Sequence, residues 1–126
     1  MNVGDTFINL NEQSHFHLWF VVTQPGADGN VVILNLTSQK EFSDTTCQMV
    51  VGDHPFVTRA SVIYYHGARL VPANSLDEWL RRGVLEARPA ARPALVARIR
   101  AGVFASERVH PTIIEAVRRC PWTHSP

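Results

Sequence analysis

Apolar and polar residues alternate along the first seventy residues in a pattern that is typical of short β-strands. Leu18–Thr23 and Val31–Leu36 are the two most apolar runs, and a turn rich in Gly, Pro, Asp and Asn separates them. Such runs favour an antiparallel hairpin. The strand ends furthest from the turn then lie side by side, so His17 and Thr37 are expected to be neighbours. Any chemistry carried by this hairpin is predicted at that end.

Further strands are predicted in residues 4–8, 46–51, 61–66 and 68–71, each bounded by turn residues. Five or six short strands at this spacing indicate a small closed or half-closed barrel. Closure would also remove the exposed edges that open sheets present.

From Pro72 onward the apolar residues recur at helical spacing. Ser75 and Glu78 have the spacing of a capping box, which predicts the start of a first helix. Pro93 is suited to the first position of a second helix, and His110-Pro111 to the start of a third. Residues 86–92 are expected to form a linker. The predicted fold is mainly β with C-terminal helices, in the α+β class. Residues 1–72 form the barrel, and residues 73–126 form an extension of two or three helices packed on the barrel or on a partner.

The distribution of charge changes at the same boundary, although the whole chain has a formal net charge of only +1. Residues 1–71 contain three basic and six acidic side chains, whereas residues 72–126 contain nine arginines and five acidic side chains. The small net charge gives no overall attraction to nucleic acid or membranes.

Cys47 and Cys120 are too few and too far apart in sequence to indicate a zinc site. The N-terminus lacks the pattern of a secretory signal, and no apolar run approaches the roughly 20 residues that span a bilayer. We therefore expect a cytoplasmic protein with reduced thiols that does not enter a membrane.

Several short motifs in residues 3–71 follow one another in a familiar order: Gly4-Asp5, the strand after His17, VVILNLTS, GDHPF and SVIYYHGARLV. In that order they resemble the PemK/MazF-type toxins of toxin–antitoxin modules. The resemblance implies an SH3-like barrel, cleavage of single-stranded RNA, an antitoxin partner and a homodimer.

The resemblance also assigns candidate site residues. The family's opening Gly-Asp falls on Gly4-Asp5, and its hydroxyl near the scissile phosphate falls on Thr37 and Ser38. A later strand of the family, which ends near an arginine, runs here from Ser61 to Arg69. Where the family has an arginine at the start of the second strand, this chain has His17.

RNA cleavage without metal needs a base for the 2′-hydroxyl, an acid for the 5′-oxygen and donors for the phosphorane charge. Histidine suits the first two tasks, so His17 and His54 are predicted as base and acid, and Thr37 as a donor. Further candidate substrate-binding residues are His15, Ser38, Arg59, Ser61 and Arg69. Alternatively, Thr37 and Ser38 merely end a strand, the histidines line an exposed mouth, and His54 pairs with Asp53 only to hold a turn.

His15 and His17 could hold a metal ion together with His54 or Asp53, but no cysteine and no third histidine lies close to them in sequence. No metal or other cofactor is therefore expected. The arginines of the helical segment could follow a phosphate backbone or form a solvated face. The competing function is a non-catalytic SH3-like module, whose groove or helical segment would bind another protein.

Overall fold

The structure is a computed structural model, and it describes residues 1–122. Within that range the chain forms seven strands and three α-helices, which confirms the α+β class. The strands are β1 (Thr6–Asn9), β2 (Trp19–Val21), β3 (Asn30–Ser38), β4 (Gln48–Met49), β5 (Ser61–Ile63), β6 (Arg69–Pro72) and β7 (Leu85–Arg88). The helices are α1 (Ala73–Arg81), α2 (Pro93–Ala105) and α3 (Pro111–Arg118).

Strand β3 organises the antiparallel sheet because successive parts of it pair with different strands. Residues 30–33 pair with β6, residues 33–35 with β2 and residues 36–38 with β5. The path of neighbours is β4-β5-β3-β2-β1-β7. Within residues 1–122 no ladder joins β4 to β7, so backbone pairing does not close this sheet.

The two faces of the sheet bury two separate apolar clusters. Side chains alternate along a strand, so Val32 and Leu34 of β3 enter the larger cluster, together with the buried side of α2 and α3. Val31 and Ile33 enter the smaller cluster, which Leu76 of α1 covers. Helices therefore cover both faces of the sheet.

Strand β7 lies where the sequence predicted a linker. Residues 86–88 belong to this strand and pair with β1 from Thr6 to Ile8, so the linker prediction is wrong for those residues. The sequence of β7 is Leu-Glu-Ala-Arg, and only Leu85 is buried. A charged, exposed edge strand lacks the apolar alternation on which the strand predictions depended.

Helix α1 begins earlier than the capping box indicated. Its first residue is Ala73, and Pro72 occupies the N-cap without a side-chain hydrogen bond. Ser75 is therefore inside the helix, and Glu78 pairs with Arg81 and Arg82 instead of closing a box. The capping-box prediction is wrong.

The starts of α2 and α3 confirm the other helix predictions. Pro93 is the first residue of α2, whose Leu95, Ile99 and Val103 are all buried. The ring of His110 caps α3 by accepting a hydrogen bond from the backbone of Thr112. In the described part of the chain, no helix has the length and apolar character needed to cross a bilayer.

Candidate functional site

A cavity of 680 Å³ lies at the polar end of the hairpin formed by β2 and β3. Its lining combines imidazoles, hydroxyls, two cations and apolar rings, and contains no carboxylate. The lining residues are His15, Phe16, His17, Leu36, Thr37, Ser38, Lys40, Phe56, Val57, Thr58, Arg59 and Ser61. Six of the eight residues predicted as site residues lie here: His15, His17, Thr37, Ser38, Arg59 and Ser61.

The register of the hairpin explains why His17 and Thr37 meet. Trp19 lies opposite Asn35, and one step further the backbone N–H of Leu36 donates to the carbonyl of Leu18 at 2.8 Å. The next step of an antiparallel ladder places His17 opposite Thr37. The prediction that the open end of the hairpin unites these residues is confirmed.

A second wall of the cavity comes from β5 and the segment before it. Ser61 pairs with Ser38 across the ladder between β3 and β5. The Ser61 hydroxyl donates to the carbonyl oxygen of Arg59 at 2.9 Å. This bond fixes the backbone from which the Arg59 side chain enters the cavity lining.

Lys40 and Arg59 differ from the other basic side chains of the described residues in that their charged groups have no partner. Within residues 1–122, neither Lys40 nor Arg59 has a side-chain ion pair, hydrogen bond or ring contact. The remaining arginines engage carboxylates, backbone carbonyls or aromatic rings: Arg69, Arg81, Arg82, Arg88, Arg92, Arg98, Arg100, Arg108, Arg118 and Arg119. Two cations without partners beside several hydroxyls form a site suited to an anion.

A carboxylate outside the lining orients His17. Nδ1 of His17 lies 2.6 Å from Oε2 of Glu12. The His17 side chain is 27% exposed, so its ring reaches both this partner and the cavity. The sequence gives no signal for the role of Glu12, because an acidic residue in a polar loop five positions before a histidine is an ordinary occurrence.

His15 lies against His17 on the same loop. Their ring centroids are 4.8 Å apart, and the rings meet edge to face at 60°. Between Gln13 and His15 the chain makes a tight turn, in which the His15 N–H donates to the Gln13 carbonyl at 2.8 Å. Ser14, at the centre of this turn, has φ 72°, a strained value for a residue other than glycine. This strained backbone brings the two imidazoles together.

His54 does not line this cavity, which corrects its expected place beside His17 and Thr37. Its ring is buried at 3% exposure, and both ring nitrogens have backbone partners. Nε2 donates to the carbonyl of Pro89 at 2.6 Å, and Nδ1 accepts from the N–H of Phe56 at 3.0 Å. His54 therefore joins the segment after β7 to the cavity wall and has no nitrogen left for proton transfer.

Asp53 is not the partner of His54. It binds the backbone N–H of Val50 and the guanidinium of Arg98. The hydrogen bond from Val50 and the contact with Arg98 lower the pKa of Asp53, although burial opposes the shift. The turn after β4 is thereby tied to α2.

Arg69 also lies outside the cavity lining. Its guanidinium is 5.0 Å from the centre of the Trp19 ring, in a cation–π contact on the face of the sheet. Its predicted role in substrate binding is therefore not supported by its position.

The loop that carries Lys40 is fastened to the C-terminal end of α2. The Ser43 hydroxyl accepts from the backbone N–H of Lys40 at 2.8 Å, and Asp44 accepts from the hydroxyl of Ser106. Burial raises the pKa of Asp44, but hydrogen bonds from Ser106 and Thr46 outweigh it and lower the pKa overall. This carboxylate therefore stays charged and holds the loop.

Among the described residues, no group of three or more His, Cys, Asp or Glu side chains is arranged to hold a metal ion. The two cysteines are both unpaired, Cys47 in the core and Cys120 near the end of α3. Neither the protein-family models nor the curated proteins compared with this sequence gave a match.

Proposed function

We propose that the protein is a toxin-like endoribonuclease that cleaves single-stranded RNA without a metal ion. One observation carries this proposal. His17, Thr37 and Ser38 line the same cavity as Lys40 and Arg59, two cations whose side chains have no partner within residues 1–122. Together they provide a base, hydroxyl donors and positive charge for a phosphodiester.

The proposed reaction is an attack of the ribose 2′-oxygen on the adjacent phosphorus. Nε2 of His17 takes the 2′-hydroxyl proton while the bond from the 2′-oxygen to phosphorus forms. The bond to the 5′-oxygen breaks, and that oxygen receives a proton from the ammonium of Lys40. The products are a 2′,3′-cyclic phosphate and a free 5′-hydroxyl. Thr37 and Arg59 bind the non-bridging oxygens as their negative charge increases.

Lys40 replaces His54 as the acid, because the ring of His54 is buried outside the cavity and both of its nitrogens have backbone partners. In an in-line displacement the acid and the base act from opposite sides of the phosphorus. His15 is an unsuitable acid for this geometry, since its ring lies only 4.8 Å from the ring of His17. Of the two free cations, an ammonium releases a proton more readily than a guanidinium. His15 is assigned to binding, together with Ser38 and Ser61.

The negative net charge of residues 1–71 would repel RNA, but the charge of the cavity itself is positive. The first 71 residues are acidic overall, yet the lining contains Lys40 and Arg59 and no carboxylate. An anionic substrate responds to the nearby groups more than to distant ones, because salt screens charges beyond about 10 Å.

The topology also supports a partly open SH3-like barrel of the PemK/MazF type. The long strand β3 is shared between three ladders, with β2, β5 and β6, and a 3₁₀ turn at Tyr65–Gly67 separates β5 from β6. A toxin of this type would pair with itself and be restrained by an antitoxin that covers the cavity.

The proposal is tested by incubating the protein with a single-stranded RNA in the presence of EDTA. We expect cleavage that leaves a 2′,3′-cyclic phosphate. His17→Ala is expected to reduce the rate at least about 100-fold, and Thr37→Val to reduce it by a similar factor. His66→Ala is the matched control, because that exposed histidine lies outside the cavity.

Substrate chemistry provides a second check. An oligonucleotide with deoxyribose at the cleaved position lacks the attacking hydroxyl and should remain intact. Cleavage of that oligonucleotide, or full activity in both His17→Ala and Thr37→Val, would refute the mechanism.

A non-catalytic interaction module is the second candidate, and one observation favours it. Large apolar side chains are exposed on loops around the sheet, above all Phe42 at 83% and Val51 at 69%. Exposed apolar side chains indicate a protein–protein contact where they are contiguous, and Val50 and Val51 are exposed next to each other in sequence. A protein that leaves RNA intact but forms a stable complex in sedimentation experiments would support this alternative.

A further inference from the structure

Glu12 lies in the loop between β1 and β2 and accepts hydrogen bonds from three donors. Its Oε2 binds Nδ1 of His17 at 2.6 Å. Its Oε1 accepts from the backbone N–H of His17 at 3.3 Å and from Nε1 of Trp19 at 3.4 Å. The carboxylate is largely withdrawn from solvent, with 20% of its side chain exposed.

Trp19, whose Nε1 donates to Oε1 of Glu12, is held by two ring contacts of its own. The ring of Trp19 stacks nearly parallel to that of Phe7, with centroids 6.5 Å apart and an angle of 7°. The guanidinium of Arg69 lies 5.0 Å from the centre of the Trp19 ring. These contacts hold the Trp19 ring in place, and the carboxylate of Glu12 links that ring to the imidazole of His17.

Hydrogen-bond chemistry then determines the proton position on His17. An ionised carboxylate only accepts hydrogen bonds, so the nitrogen beside it must carry the hydrogen. A neutral imidazole has one N–H, which is therefore at Nδ1. Nε2 is left with a free lone pair, the form that a proton acceptor requires.

We propose that Glu12 is a positioning residue that holds His17 in the Nδ1–H tautomer and fixes the orientation of its ring for RNA cleavage. This inference rests on the proposed function. Glu12 is not part of the cavity lining, so it acts through His17 and not through the substrate. When Nε2 receives the 2′-hydroxyl proton, the resulting imidazolium keeps its Nδ1–H bond to the carboxylate, which stabilises the new charge.

The tautomer can be measured without any substrate. In protein labelled with ¹⁵N, long-range proton–nitrogen correlation spectra distinguish an Nδ1–H from an Nε2–H imidazole. At a pH where His17 is neutral, we expect the Nδ1–H pattern for its ring and a mixture of tautomers in Glu12→Gln. An Nε2–H pattern for His17 in the unmodified protein would overturn the inference and needs no variant.

Kinetics provide the second readout. Glu12→Gln is expected to lower kcat about 100-fold with little change in KM, because Glu12 does not contact the substrate. Glu12→Asp keeps the carboxylate and should recover part of the loss. Glu107→Gln removes the same charge from an exposed loop and should behave as the unmodified protein.

The outcomes separate this inference from the proposed function. If His17→Ala is inactive while Glu12→Gln keeps both the tautomer and full kcat, the positioning role is refuted and the nuclease stands. If His17→Ala retains full activity, the nuclease mechanism fails, whereas the tautomer spectrum still decides where Glu12 holds the proton.

Discussion

At the scale of single residues, neighbours in space distinguish side chains that look alike in sequence. The sequence predicts His17 and His54 as site residues for the same reason, the chemistry of the imidazole group as an acid or base. The fold gives His17 a carboxylate and a cavity, whereas it gives His54 two backbone partners in the interior. Pro89, the partner of His54, lies 35 residues further along the chain, so no local motif predicts that contact. Glu12 lies five residues before His17 on the same loop, but that spacing alone does not predict that their side chains meet.

Gly102 shows the same dependence on a distant neighbour. A glycine inside a helix is ordinarily unfavourable, but here the Tyr65 hydroxyl packs against the α2 backbone and donates to the carbonyl of Ile99 at 2.9 Å. A Cβ atom at Gly102 would lie 1.8 Å from that hydroxyl oxygen. Only glycine leaves room for the tyrosine.

We therefore expect Gly102→Ala to lower the free energy of unfolding by about 1–3 kcal/mol, in spite of the better helix propensity of alanine. Urea denaturation measures this change. Ala101→Gly, at the exposed neighbouring position, should cost about 1 kcal/mol from propensity alone. A Gly102→Ala protein more stable than the original would contradict the packing explanation.

At the scale of secondary-structure elements, a strand or helix was predictable where its own residues carry a strong local pattern, and not where it depends on a distant partner. The hairpin of β2 and β3 and the first residue of α2 follow from apolar runs, turn residues and a proline. Strand β7 depends instead on the free edge of β1, which its own sequence does not describe. Likewise, residues 61–66 read as one strand, but Tyr65 belongs to a 3₁₀ turn that directs its ring toward α2.

The contact between the turn after β4 and α2 makes stability depend on pH. The pKa of Asp53 is lowered in the folded state by its hydrogen bond from Val50 and by Arg98. A carboxyl group with a depressed folded pKa stabilises the protein above its unfolded pKa, and this contribution is lost as pH falls through the folded value.

Asp53→Asn should accordingly lower the free energy of unfolding by about 1–2 kcal/mol at pH 7. The difference from the unmodified protein should begin to shrink below about pH 4, where the unfolded aspartate takes up its proton, and should be smallest below the lowered folded pKa of Asp53. Denaturation curves of both proteins between pH 7 and pH 2 measure this difference in the free energy of unfolding. A difference that stays constant down to pH 2 would show that charge at Asp53 is not the cause.

At the scale of the whole molecule, intramolecular partners decide which charges are available to a ligand. The described arginines of the helical segment are engaged with carboxylates, backbone carbonyls or aromatic rings. The carboxylates include those of Glu78 on α1 and Glu115 on α3, each of which binds two arginines. The free cations lie instead in the part of the chain with the negative net charge. Net charge by segment therefore does not predict where cations without intramolecular partners lie among the described residues.

Binding of a non-cleavable DNA oligonucleotide tests this distribution of charge. Lys40→Ala and Arg59→Ala should each weaken binding and reduce the slope of log K against log salt by about 0.7. Arg81→Ala, on the exposed side of α1, should leave the slope unchanged. Equal slopes for all three variants would place the anion site elsewhere.

The pairing of β7 with β1 has a consequence for synthesis on the ribosome. Every residue of the cavity lining precedes residue 62, yet the outer edge of β1 has no partner until residue 88 has emerged. A shorter nascent chain thus presents an open strand edge, the kind of surface through which unfinished polypeptides associate. Translation must continue well past the codon of the last cavity-lining residue before β7 can cover the edge of β1.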